Sequence, residues 1–221
     1  TLNNNTGGTL NTNGGSLISV SAGGYLKNLS DITGAGSLDV TGTFEHALDG
    51  YVVPAATWNA GSLCYVTGIT STIPAGLGQN FYDLTWDCNQ SGDINLVNGI
   101  TGPIQNDFTV AKTNGFELRL ASTQNVTLSI GRDLRVTGGT LILNGASSSF
   151  AAPSSSLSVG RDLFISGTGS FYNTNEYASG VGVPAVNVTG DLNITGSAGQ
   201  RLVIAGAKTG FAAIPCSAVI N

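Results

Sequence analysis

Charge is what this chain has least of. Only 10% of its 221 residues are Asp, Glu, Lys or Arg, and Lys plus Arg number 8. Nucleic-acid binding rests on neutralising phosphates with Lys and Arg, so so few cations, at a formal net charge of −5, argue against it. The same shortage argues against a polybasic membrane-surface anchor. There is no Met, and Glu, Lys and Gln are few, so helix formers are scarce. No apolar run approaches the roughly 18 residues that a membrane-crossing helix needs, and no membrane insertion is expected. The three cysteines, Cys64, Cys88 and Cys216, have no metal-ligand spacing, and no cofactor motif is present. No signal peptide is visible, and the chain begins with Thr1 rather than Met.

What is present is alternation. Apolar residues make up 41% of the chain and Gly accounts for 32 positions, with Asn, Thr and Ser filling most polar ones. This is the composition of many short strands joined by tight turns. Within residues 126–206 one unit recurs three times: VTLSIGRDLRVTGGTLILNG from Val126, SLSVGRDLFISGTGSF from Ser156, and VNVTGDLNITG from Val186. In each, an alternating run meets a Gly-(Arg)-Asp-Leu corner and continues as a second run. If Asp83, Asp107, Asp133, Asp162 and Asp191 are equivalent corners, the steps between them are 24, 26, 29 and 29 residues. A repeat of this length marks an array whose units bury their apolar faces against one another. The first copy divides into three short strands, Val126/Leu128/Ile130, Leu134/Val136 and Leu141/Leu143. That predicts an all-β chain, a right-handed parallel β-helix of roughly eight coils stacked about 4.8 Å apart. A β-sandwich also uses short strands, but it does not account for a corner at near-constant period.

The whole of 1–221 reads as one module without a domain boundary. Residues 1–50 carry the most degenerate repeats, and 93–221 the most regular. Residues 51–92 differ in texture: they hold Trp58, Trp86, Cys64 and Cys88. There the choice lies between an aromatic binding platform and packing in a loop or core, and the even spacing of Leu84 and Trp86 favours packing. SSSFAAPSSS and NTNEYASGVGVP replace tight turns with longer loops. Both ends look like the middle of a repeat pattern, so a fragment or processed part of a longer protein is expected.

Chemistry-bearing residues are sparse. Stacking would bring Asp107, Asp133, Asp162 and Asp191 into a column beside Arg132 and Arg161. Such a column could hold a cation or a sugar. It could equally be a structural ladder, with Asp accepting backbone N–H bonds and Arg neutralising the charge, and repetition favours that reading. Glu45, His46 and Asp49 form the one cluster of His with acids; it has no partner nucleophile or ligand spacing and reads as a surface turn. Asp83 and Asp87 alternate with Leu84 and Trp86, so they project outward together, with Asp93 nearby, as a carboxylate dyad of a polysaccharide-cleaving β-helix would require; any solvated strand face gives the same pattern and is far commoner. Cys64 and Cys88 lie close to one repeat apart and would be bridged if they met across adjacent coils. Two buried thiols is the other reading. The Asn-x-Ser/Thr sequons at Asn4, Asn28, Asn89, Asn125, Asn187 and Asn193 are expected by chance in so Asn-rich a chain.

The stretch NAGSLCYVTGIT, then GLGQNFYDLTWDCNQSGDINL, followed by units of the DLxVxGGTLxLNG type, resembles the Asn/Thr/Gly-rich repeat proteins on the surface of Bacteroidota. The resemblance covers about residues 55–205. It implies a secreted or cell-surface adhesin or filament protein exported by the type IX secretion system. It supplies no catalytic motif, and no enzyme activity is expected. Exposed coil ends present unpaired strand edges, so the expected partners are flanking repeats or copies of the chain, end to end, and surface glycans. The alternative is a carbohydrate-binding or polysaccharide-degrading β-helix protein.

Overall fold

The computed structural model describes residues 2–4, 10–11, 16–33, 36–97, 99–122, 124–145, 154–174, 184–195, 201–203 and 217–220. Every regular element among them is a β-strand of two to five residues. Each strand pairs in parallel with its equivalent about one repeat away. The largest sheet has nine strands, in chain order: Leu2–Asn4, Tyr25–Asn28, Thr43–His46, Leu63–Val66, Asp83–Asp87, Phe108–Lys112, Leu134–Val136, Leu163–Ile165 and Leu192–Ile194.

The expected division of the first clear copy holds. Thr127–Ile130, Leu134–Val136 and Thr140–Asn144 are three strands, and each belongs to a different sheet. The first joins Ser156–Val159, Ala185–Val188 and Ser217–Ile220. The third joins Ile94–Asn95, Glu117–Ala121, Ser170–Thr174 and Arg201–Val203. Nearer the N-terminus, Leu17–Val20, Ser37–Val40 and Ala56–Trp58 form a separate three-stranded sheet, and Leu10–Asn11 pairs with Ile32–Thr33. The turn into the third strand uses glycine in both of the first two copies: Gly139 and Gly167 take positive φ, 84° and 60°, where a side chain would be strained.

The pairing register explains why alternation suffices. In the nine-stranded sheet Leu26, Phe44, Cys64, Leu84, Phe108, Leu134, Leu163 and Leu192 stack in one column. His46, Val66, Trp86, Val110, Val136 and Ile165 form the next inward column. Like packs on like, so each repeat provides a flat apolar platform for its neighbour. The buried apolar residues form one cluster running from Val20 to Val188.

The aromatic stretch is core and no platform. Trp86 is fully buried and Trp58 is 6% exposed. Trp58 packs edge-on to Phe44 and against Phe81, with ring centroids 6.1 and 4.9 Å apart. Each indole N–H donates to a glutamine, Trp58 to Gln79 and Trp86 to Gln90, both at 3.0 Å. Most of the two longer loops, 146–153 and 175–183, lies outside the described residues, as does Cys216.

Candidate functional site: the corner ladder and the polar outer face

The repeated aspartates do stack, Asp83 among them. The Asp83 carboxylate accepts the Asp107 N–H at 2.9 Å, Asp107 accepts from Asp133 at 3.1 Å, Asp133 from Asp162 at 3.3 Å, and Asp162 from Asp191 at 2.8 Å. Each carboxylate thus reaches one repeat forward and satisfies the main-chain donor at the next corner. The residue before each corner covers the carboxylate behind it. Asn106 donates to Asp83 at 2.8 Å, Arg132 Nε stands 3.7 Å from Asp107, and Arg161 Nε donates to Asp133 at 2.7 Å. Before Asp191 the covering residue is Gly190, whose Cα sits so close that an added Cβ would lie 2.4 Å from the Asp162 carboxylate.

Asp133 is the hub. It is fully buried and is bound by both Arg135 and Arg161, with Arg132 at 3.8 Å. Burial alone would raise its pKa. The hydrogen bonds from Arg161 and the Asp162 N–H, with the charges of Arg135 and Arg161, hold it below the usual carboxylate range. Arg135 also lies over the Phe164 ring, 4.3 Å from its centroid. Sequence reading missed Arg135. Its signal was the period of two, which puts it on the same side as Asp133.

The same forward reach recurs elsewhere. Asp49 Oδ1 accepts the N–H groups of Thr70, Ser71 and Thr72 at 2.9, 3.0 and 2.9 Å, which keeps its pKa far below normal against the effect of burial. Asp93 accepts the Glu117 N–H and pairs with Arg119 at 2.5 Å. Asn125, one of the sequon residues, accepts the Ser154 N–H at 2.7 Å. Asn28, another, is buried.

The Glu45–His46 pair is not at a surface turn, contrary to expectation. Both residues sit in the Thr43–His46 strand, Glu45 5% exposed and His46 fully buried. Glu45 points outward but is covered from both sides. It accepts from Tyr25 Oη, from Lys27 Nζ at 3.0 Å and from Thr67 Oγ1 at 2.6 Å. These bonds overcome the opposing effect of burial and lower its pKa. His46 points inward, with Nε2 2.9 Å from the Gly50 carbonyl, and Nδ1 has no hydrogen-bond partner among the described residues. Burial lowers its pKa, so the ring is neutral in the fold.

A depressed pKa in the folded state means that the unfolded chain binds the extra proton. The stability that depends on neutral His46 is therefore whole above the unfolded value of about 6.5, and is lost as pH falls from there through the folded pKa. In a pH series of urea midpoints, His46→Gln is expected to remove the part of the slope that lies just below pH ~6.5. A slope identical to that of the parent would contradict the burial argument.

The cysteines do not meet. Cys64 is in register with Leu84 of the next repeat, and Cys88 lies beyond Trp86, four residues farther along. At ~3.3 Å per residue this offset is about 13 Å, too far for a disulfide. Both thiols are free and buried, Cys88 Sγ contacts the Val66 carbonyl at 3.3 Å, and burial raises the Cys88 pKa to about 12 and raises that of Cys64 as well. Peptide-level mass analysis after alkylation at neutral pH is expected to find both unlabelled in the native protein and both labelled after denaturation. A tryptic pair joined through Cys64 and Cys88 would refute this.

Asp83 and Asp87 share the outward side of their strand, as expected, with Leu84 and Trp86 inward. They too are four residues apart, about 13 Å at ~3.3 Å per residue, well beyond the roughly 5–10 Å of a glycosidase carboxylate pair. Asp83 is engaged by Asn106 and Asp107, and Asp87 accepts from Tyr65 Oη at 2.5 Å. Among the described residues no group of His, Cys, Asp and Glu is arranged to hold a metal ion. What the arrangement does chemically is join repeat to repeat. Compared with models of protein families, with curated proteins and with solved structures, the chain matches none.

Proposed function

We propose that the chain is a right-handed parallel β-helix that serves as an extracellular structural or adhesive module of a cell-surface adhesin or filament. The observation that carries this reading is the use made of its polar residues. Asp49, Asp83, Asp93, Asp107, Asp133 and Asp162 each bridge one repeat to another through the carboxylate, and Asp191 joins through its N–H. Right-handedness follows from the strong preference of parallel β-crossovers for that hand. Nine parallel strands at ~4.8 Å spacing give a rod of roughly 40 Å, with polar faces outside and strand edges at its ends. Such edges favour stacking on flanking repeats or on a second copy. The likeness to Bacteroidota surface repeats supports the location and a type IX export route.

Electron microscopy of the native protein, at working concentration and after dilution, tests the reading. Continuous fibres or long rods of repeating density support it. Isolated short rods at every concentration overturn it. The alternative is a carbohydrate-active β-helix, resting on the shared outward side of Asp83 and Asp87. Their separation suits binding better than cleavage. Polysaccharide turnover lost in Asp83→Ala or Asp87→Ala would select an enzyme.

A further inference from the structure

The segment that follows the Thr43–His46 strand is held mainly by side chains. The Ala47 N–H donates to the Asn28 carbonyl at 3.0 Å, and the Tyr51 carbonyl accepts from the Ala75 N–H at 2.8 Å. Between these points, Leu48, Asp49 and Gly50 make no hydrogen bond from main chain to main chain among the described residues. Two side-chain contacts hold them instead. On the inner side, His46 Nε2 meets the Gly50 carbonyl at 2.9 Å. On the outer side, Asp49 Oδ1 accepts the N–H groups of Thr70, Ser71 and Thr72 of the following repeat. Gly50 and Tyr51 both take positive φ, 74° and 59°, and for Tyr51 that backbone is strained. The segment ends at the surface, where Tyr51 and Val52 are exposed. Few main-chain bonds and exposed neighbours place it among the parts of a fold that open most readily.

We propose that His46 and this segment form an acid-released latch: protonation of the imidazole frees residues 48–50 and, with them, the Asp49 grip on the following repeat. A carbonyl only accepts, so Nε2 carries the proton of the neutral ring and Nδ1 is a bare acceptor, without a partner among the described residues. A second proton on Nδ1 makes a buried donor and a buried charge, both unpaired. Nothing inside compensates them. The strand before presents Asn28 in register with His46 and the strand after presents Val66, both uncharged. The thiols of Cys64 and Cys88, farther along the array, are kept protonated by burial. Glu45 and Lys27 pair on the opposite side of the strand, and the Asp49 carboxylate is bound by residues 70–72. The charged ring therefore gains water only by displacing the segment bonded to it. The latch is a property of the fold and does not rest on the structural role proposed above.

Residue-resolved hydrogen exchange of the native protein, corrected for the pH dependence of intrinsic exchange, tests the latch at the Thr70, Ser71 and Thr72 amides. Between the ordinary His pKa of about 6.5 and the lower folded value, the open fraction rises about tenfold per pH unit of acidification. Protection of the three amides should fall in that proportion. The Asp107 and Asp162 amides, bound by carboxylates of the corner ladder, should keep theirs. His46→Gln can still donate to Gly50 but does not titrate, so its protection should not depend on pH over this range. Asp49→Asn keeps an oxygen for the three amides and should retain the dependence, because the ring and not the carboxylate titrates. Protection that does not change on acidification overturns the proposal. So does an equal loss at the ladder amides, which would mean that acid opens the whole array. That comparison is made within the parent protein and decides the matter even if His46→Gln does not fold. A pH dependence that survives in folded His46→Gln, or vanishes in Asp49→Asn, overturns it as well.

Discussion

Asp133→Ala is expected to destabilise the fold by about 3 kcal/mol, measured by urea unfolding, the largest loss from any carboxylate of the ladder. Removing one partner of a buried ion pair commonly costs about 3–5 kcal/mol, because the other partner is left uncompensated. Here the loss lies at the lower end, since the Arg135 and Arg161 side chains keep 33% and 46% exposure and can turn to water. What cannot turn away is the Asp162 N–H, which loses its acceptor. Asp133→Asn separates the two effects. It keeps an oxygen for that N–H and discards the charge, so it should cost clearly less than Ala. Equal losses in the two variants would mean that charge pairing alone carries the corner. The folded pKa of Asp133 lies below its unfolded value, so its contribution is whole above about pH 3.9 and disappears as pH falls from there through the folded value. The Ala variant should therefore lose part of the parent's acid sensitivity.

Gly160→Ala, at the start of the second Gly-Arg-Asp corner, should cost a further roughly 2–3 kcal/mol for a different reason. A Cβ there would lie 2.3 Å from the Gly131 carbonyl oxygen and 2.9 Å from its carbon. Both are main-chain atoms of the preceding repeat, so no side chain can rotate to make room. The repeats must separate locally, which lengthens the Gly160 N–H bond to Ile130 and the Arg161 N–H bond to Arg132, both 2.8 Å. Gly92→Ala is the control: an added Cβ there meets nothing within 4 Å, and its φ is not in the left-handed region. Denaturation midpoints that shift alike for the two variants would mean that loss of glycine itself, rather than close approach, sets the cost.

The ladder was legible in the sequence because it needs only local information. Aspartate for the forward bond and an apolar residue for the core fall at a fixed offset, and the period repeats them; glycine for close approach precedes Asp133 and Asp162 by two residues and Asp191 by one. The contacts around Glu45 were not legible. Alternation places Phe44 inward and Glu45 outward, which is correct, yet outward did not mean exposed. Tyr25 and Lys27 of the preceding repeat and Thr67 of the following one close over the carboxylate. Those partners are 18 to 22 residues away, in the degenerate part of the pattern, where no period ties them to Glu45. His46 was misjudged for a related reason. It continues the inward column that Val66 and Trp86 make obvious only once the register is known. The cysteines show the same limit. A separation close to one repeat suggests that they meet, but the true step between their strands is 20 residues, Cys64 to Leu84, so four residues of mismatch separate them.

The forward bonds of the ladder all run the same way, from a carboxylate to an N–H that comes later in the chain. The main-chain bonds at the same corners run the other way: the N–H groups of Leu84, Phe108, Leu134 and Leu163 donate to the later carbonyls of Asp107, Asp133, Asp162 and Asp191. Each aspartate corner is therefore a two-way clasp. The earlier repeat offers one acceptor and one donor, and both are satisfied together only when the following repeat is in place.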